Sequence, residues 1–358
     1  MSHAICAQHF TDAHAGDVIP LINRALENAK LRRHSDYISR VMLLCTPHYA
    51  NLVEDMAHHC VAKTNCMNVW GGCASGLLGQ GQIFFDQPAI VLALFGESFE
   101  PRSDNDHITL CLTENEQALL NHAQLDAVEP DSALLPANTL GLLSYGANYA
   151  KMPRIEHGRM CEDDLCSTTL RVCSPMVFNS EGLSFFTDVQ TVTESNGLFL
   201  IGVDGKQAAL ALNCPNQQTR PVGLRLQLIH EKGESWIPVM EIHPDGTLGL
   251  AAPVGRGQKV RLARRTQQAI DQELLKWQHS VEGTFGSKAP ELGVLFTGFE
   301  RSQLCHEHDN DIAHLLKAFP NTEWLGVFGQ AAWLSQSDHI ITPPRNNRLS
   351  VCLFDTPA

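Results

Sequence analysis

Two stretches of this chain hold residue types that do chemistry, and each makes its own demand on the fold. Cys305-His-Glu-His-Asp309 sets five metal donors in five consecutive residues, the densest such group in the sequence. His306 and His308 stand two apart, so a strand would put both imidazoles on one face and a helix would not. They are the candidate ligands for a first-row metal ion. The competing reading is capping, because a helical run follows: Asp309 suits its N-cap and Glu307 its positive end. Gly71-Gly-Cys-Ala-Ser-Gly76 offers a different chemistry, since its three glycines permit positive φ and close approach of a ligand to backbone N–H groups. Trp70, Gly71, Gly72, Cys73 and Ser75 are therefore candidate ligand contacts. The segment also looks like a nucleophile elbow, which makes a Cys73-dependent enzyme acting on a small substrate an alternative. It departs from Gly-x-Cys-x-Gly at Ser75, however, and the sequence assigns Cys73 no His/Asp pair. A purely structural turn accounts for the same residues.

The elements that must position these residues occur twice. Near the N-terminus a helical stretch (16–30) leads into Val41-Met-Leu-Leu-Cys45, a second helical stretch (49–60), the segment from Met67 to Leu78, and the strand-like Ala89-Ile-Val-Leu-Ala-Leu-Phe95. Near the C-terminus the same order recurs: a helical stretch (265–280), Gly293-Val-Leu-Phe296, a helical run (309–319), the segment from Glu323 to Trp333, and Leu349-Ser-Val-Cys-Leu-Phe354. The expected fold class is α/β (mixed α+β), with two pseudo-symmetric αβαββ units at 1–100 and 258–358 flanking a β-rich middle section at 101–257. Within that middle, residues from Gly182 onward read as successive strands, with Asp204-Gly205 and Asp245-Gly246 as hairpin turns. Ligand sites favour junctions, so a cleft between the two units is expected. Trp70, Phe328 and Trp333 would wall it, and Arg301, at the end of an apolar strand in the second unit, would grip an anionic group with its guanidinium fork. A surface ion pair with Glu300 is the plain alternative for Arg301.

Bulk properties exclude several classes. The 358 residues suffice for two or three domains. A hydrophobic content of 44% with 18% charged residues describes a globular protein, and no apolar run is long enough to span a bilayer. No secretory signal is visible, so a cytoplasmic location without membrane contact is expected. A net charge of -13 opposes a polyphosphate backbone, which argues against nucleic acid as a partner. The twelve cysteines lack dense disulfide spacing and any Cys-x-x-Cys pair, so reduced thiols are expected. His157, Cys161, Cys166 and Cys173 form a looser series, read mainly as a strand pair carrying small buried thiols, with a structural zinc as the other reading.

The order of several motifs resembles the FIST family of prokaryotic sensory modules. The resemblance rests on Trp70-Gly-Gly-Cys-Ala-Ser-Gly-Leu-Leu78 and the strand after it, on Val192-Thr193 with Phe199-Leu-Ile-Gly-Val-Asp-Gly205, and on Met240-Glu-Ile-His-Pro-Asp-Gly-Thr-Leu-Gly-Leu250. It continues through Gly293-Val-Leu-Phe-Thr-Gly-Phe-Glu-Arg301 and Gly326-Val-Phe328, and so covers nearly the whole chain. Two positions depart from the family pattern: Gly298 where Cys is common, and Ala331-Ala332 where a Gly-Glu pair is common. The second departure removes a carboxylate that would meet an amino group. The resemblance implies a non-catalytic sensory protein that binds a small ligand, amino-acid-like or another small anion, and signals to a separate histidine kinase, diguanylate cyclase or chemoreceptor. It also implies an alternative, a haem-binding sensor of nitric oxide or another gas.

Overall fold

The computed structural model describes residues 3–31, 38–96, 107–113, 139–143, 152–214, 223–230, 233–298, 311–335, 341–345 and 349–355. Its first segment runs β1 (His3–His9), α1 (Val18–Leu31), β2 (Ile38–Cys45), α2 (Val53–Thr64), β3 (Val69–Cys73), β4 (Gly76–Gly79), β5 (Gln82–Phe85) and β6 (Ala89–Gly96). There follow β7 (His107–Thr113), β8 (Thr139–Leu143), β9 (Arg154–Glu156), β10 (Arg159–Met160), β11 (Leu165–Arg171) and β12 (Cys173–Ser180). A strand-rich stretch holds β13 (Leu183–Phe185), β14 (Gln190–Asn196), β15 (Phe199–Val203), β16 (Lys206–Gln207), α3 (Ala208–Ala211), β17 (Leu224–His230), β18 (Gly233–Ile242), β19 (Leu248–Leu250) and β20 (Lys259–Arg265). The chain ends with α4 (Gln267–Phe285), β21 (Leu292–Gly298), α5 (Asp311–Ala318), β22 (Glu323–Gly329), β23 (Ala331–Ser335), β24 (Ile341–Arg345) and β25 (Leu349–Asp355).

Helices and mixed sheets together make this an α/β fold, as expected. The residues group into two units. One comprises 1–180 with most of the C-terminal quarter, and the other centres on 181–276. The middle section expected at 101–257 thus contributes to both, its first part to the larger unit and its second to the smaller.

In the larger unit the β-strands form three sheets, ordered β1-β6-β2-β3-β9-β10, β12-β25-β21-β22-β4-β5 and β11-β7-β8-β23-β24. One pattern runs through all three. A parallel pair lies at the centre (β2 with β3, β21 with β22, β7 with β8), and an antiparallel strand flanks its first member (β6, β25, β11). Against the second member lies a strand from another part of the chain: β9 on β3, β4 on β22 and β23 on β8. Each central pair therefore sends the strand that follows it into a neighbouring sheet. The repeat visible in sequence has two copies, whereas the pairing pattern occurs three times.

Alternation explains the layers. Met42 and Leu44 of β2 join Trp70, Val91, Leu110, Leu142, Val294, Val327 and Phe354 in one core shared by the inner faces of the three sheets. Val41, Leu43 and Cys45 point the opposite way, as period-two side chains must, into a second core under α1 and α2. Covered on both faces, these strands read as continuous apolar runs. Helix α2 buries Val53, Met56, Ala57 and Cys60, the spacing of one helical face, and ends at Asn65 in the left-handed region.

The smaller unit is antiparallel. β14, β15, β19, β18, β17 and β20 pair in a ring that closes on itself through β20 with β17, giving a small barrel. Leu200, Leu226, Val239, Leu248, Val260 and Leu262 are among the residues of its apolar core. Asp204 and Gly205 both take positive φ at the β15–β16 turn, as the Asp-Gly signal predicts.

Candidate functional site

The glycine-bearing segment is packed more tightly than a ligand cradle would be. Gly71 and Gly72 lie within β3 at φ +143° and +142°. A Cβ on Gly71 would come within 1.9 Å of the Leu43 carbonyl oxygen, and one on Gly72 within 2.4 Å of the Pro153 oxygen. These glycines admit neighbouring backbone. Nearby N–H groups are also engaged, since Cys73 donates to the Pro153 carbonyl and Ala74 to that of Cys45. Cys73 is 1% exposed. Its sulfur lies 3.4 Å from that of Cys45, and its thiol donates to the Thr46 carbonyl over 3.8 Å. Those neighbours supply no general base.

Trp70 belongs to the shared core, where its indole N–H has no hydrogen-bond partner among the described residues. Ser75 is half-buried at the bend into β4. Phe328 pairs in register with Gly76, the residue after Ser75. The Phe85 ring fills the notch at Gly76 and packs edge-on against Phe328, centroids 4.7 Å apart. Trp333 lies in β23, but its side chain is outside the described residues. Arg301, His306 and His308 also lie outside them.

A cleft does lie between elements from the two ends of the chain, and other residues form it. A cavity of about 350 Å³ lies beside edge strand β1, lined by Asn28 of α1, by Gln80 and Gly81, and by Phe319, Glu323 and Trp324 following α5. Such a volume is at the lower end of the range for small-molecule sites. Gln80 and Gly81 form the two-residue turn between β4 and β5, at φ +50° and +73°, so the strand exchange between sheets delivers this turn to the cavity. Positive φ favours Gly, Asn or Asp, and glutamine is costly there. The position gives Gln80 a task, because its side-chain oxygen accepts the Ala7 N–H of β1 at 3.2 Å.

Glu323 supplies the charge. Its Oε2 is 3.4 Å from Nε2 of His3, a side chain only 5% exposed. Asn28 donates to the Cys6 sulfur over 3.9 Å, and burial pushes that thiol's pKa up. Thr322 is committed elsewhere, donating to the Pro290 carbonyl at 2.8 Å. The wall is aromatic, with the Phe319 and Trp324 rings 6.4 Å apart, and its polar side carries the Asn28 and Gln80 amides and the Glu323 carboxylate. Glu323 opens an apolar strand in sequence, a place where a charged residue passes for a strand end. Gln80-Gly81, set between Leu77-Leu78 and Ile83-Phe84, was the available signal.

The described residues do not fit haem at this cavity. His3 is the buried histidine among them, and its Nε2 faces a carboxylate instead of an apolar wall. A different group could hold a metal ion: Glu156, Cys161 and Cys166, remote from the cavity lining. No helix among the described residues is long and apolar enough to cross a membrane. Comparison of the chain with protein-family models and with curated proteins finds no match to either.

Proposed function

We propose that this chain is a sensory protein of the kind the FIST resemblance implies, one that binds a small amino-acid-like molecule in the cavity between its N-terminal and C-terminal αβ units. Occupancy is then passed to a separate partner in the cytoplasm, a histidine kinase, diguanylate cyclase or chemoreceptor. The observation that carries this reading is the cavity beside β1, where Glu323 lies next to aromatic walls and the Gln80 turn. A lip with a carboxylate and two side-chain amides suits a ligand's ammonium or amide N–H groups. The cavity joins elements from both ends of the chain, so filling it ties them together in the way a sensor requires.

Calorimetry and thermal unfolding with a panel of free amino acids and simple amines test the proposal. A ligand present at about 100 times its Kd is expected to add roughly 2.7 kcal/mol of stability. Glu323→Gln is expected to weaken binding at least tenfold, about 1.4 kcal/mol, while the unliganded protein melts as before. Binding that is indifferent to Glu323→Gln, or a panel that leaves the melting temperature unmoved, overturns it.

A further inference from the structure

A group of possible metal ligands lies outside the cavity lining, with Glu156 on β9 and the two thiols at the ends of Cys161-Glu-Asp-Asp-Leu-Cys166, which leads from β10 into β11. The β9–β10 hairpin turns at His157 and Gly158, both at positive φ, and its ladder continues as Cys161 N–H donates to the Arg154 carbonyl at 2.8 Å. That turn brings Glu156 back beside Cys161, while β11 carries Cys166 in from the other side. Cys161 Sγ is 3.8 Å from Glu156 Oε2, and the three donor atoms all lie within 4.8 Å of one another. Cys166 is fully buried and Cys161 is 9% exposed, while Glu156 is half-buried. The group is enclosed on the thiol side and reachable past the carboxylate.

Its surroundings hold the donors in place without an ion. Arg154, 3% exposed, donates from its two terminal nitrogens to the carbonyls of Asp164 at 2.6 Å and Asp163 at 2.8 Å, which fixes the loop's curve. The Ser167 N–H donates to Glu156 Oε1 at 3.4 Å and leaves Oε2 toward Cys161. Orientation of a ligand by its outer neighbours is a recurring property of metal centres. By contrast, Cys111 and Cys352 lie in apolar strands with the environment of small hydrophobes.

We infer that Glu156, Cys161 and Cys166 bind one thiophilic divalent cation of the zinc type, with a coordination position left open. Zinc–sulfur bonds of about 2.3 Å and zinc–oxygen bonds of about 2.1 Å imply donor separations of roughly 3.5–3.8 Å in a tetrahedron. The Cys161–Glu156 distance is already at that value, and the outer bound requires about 1 Å of closure. Charge balances as well. With both cysteines as thiolates, the two sulfurs, the carboxylate, the nearby guanidinium of Arg154 and one dication sum to zero. Binding releases the remaining thiol protons to solvent and leaves the loaded set neutral, which limits the desolvation cost. Two thiolates and one carboxylate select zinc-like ions over calcium or magnesium.

The test uses the full chain, reduced with a phosphine, stripped with chelator and titrated with Co²⁺, followed by Zn²⁺ competition. One equivalent is expected, with sulfur-to-cobalt charge-transfer absorption, tetrahedral visible bands, and their loss as Zn²⁺ displaces cobalt. Cys161→Ser and Cys166→Ser are expected to abolish the signal, and Glu156→Gln to weaken Zn²⁺ at least tenfold. Circular dichroism checks each fold; should Cys166→Ser not fold, Cys161→Ser and Glu156→Gln decide. Cys45→Ala, which alters the other close thiol pair, is expected to leave the stoichiometry at one. No uptake by the intact protein, or uptake unaffected by Cys161→Ser and Glu156→Gln, overturns the inference, and neither outcome bears on the Glu323 cavity.

Discussion

Gly71 and Gly81 are both glycines at positive φ, yet they answer to different physics. Gly71 admits the backbone of β2, because a methyl there would overlap the Leu43 carbonyl at 1.9 Å. Gly81 faces open space beside the cavity, so its positive φ answers to the turn alone. Gly71→Ala is therefore expected to cost more than about 4 kcal/mol or to prevent folding, the penalty of a clash that rigid backbone cannot relieve. Gly81→Ala is expected to cost about 1 kcal/mol, the left-handed penalty alone. Urea midpoints of the two variants measure the difference, and equal, small losses would mean that β3 is not packed as described. Sequence drew attention to the right glycines for the wrong reason. Glycine permits a ligand or another strand to approach equally well, and the choice depends on what the fold puts opposite. For Gly72 that is Pro153, 81 residues away along the chain.

At the scale of elements, the β4–β5 hairpin does the most. It leaves the first sheet and pairs on β22, with Leu77 opposite Val327 and Gly76 opposite Phe328. Phe328 is fully buried under the Phe85 ring. Phe328→Ala is expected to cost about 3–5 kcal/mol, the price of an aromatic cavity. It should also weaken any ligand at the Gln80 turn, which the same hairpin carries; thermal unfolding and calorimetry of one variant report both. A stable variant with lost binding would separate the turn's position from the hairpin's anchorage. The central strands were legible in sequence, because β2, β6, β21 and β25 are apolar runs buried on both faces. The third copy was not, since β8 is five residues long and 25 residues (114–138) separate it from β7. Strand exchange was invisible as well. Period-two alternation fixes which face a residue takes, but not which of several similar edges the strand will join.

For the whole molecule, the most general consequence lies in its buried thiols. Burial pushes the pKa of Cys60, Cys111 and Cys214 up to about 12, and raises Cys352 further; Cys45 is raised chiefly by its hydrogen bond with Cys73, then by burial. The sign follows from linkage. A group whose folded pKa lies above its unfolded value, near 9 here, favours the fold fully below that value and loses the contribution as pH rises toward the folded pKa. Between pH 9 and 12 the unfolded chain releases these protons and the folded chain keeps them, so stability falls by up to about 1.4 kcal/mol per pH unit for each such thiol. Most of these cysteines lie in the three-sheet unit, while Cys214 belongs to the barrel unit. Alkaline conditions are therefore expected to unfold the three-sheet unit well before the barrel. Denaturant titrations at pH 8, 9.5 and 11, read by tryptophan fluorescence and by hydrogen exchange of barrel amides, are the measurement. Cys60→Ala together with Cys111→Ala should flatten the pH slope of the first transition even if it lowers the starting stability, because alanine has no proton to lose. A slope that those substitutions leave unchanged would assign the alkaline loss to other groups, such as Tyr49, whose hydroxyl is buried and donates to Asp17 at 2.8 Å.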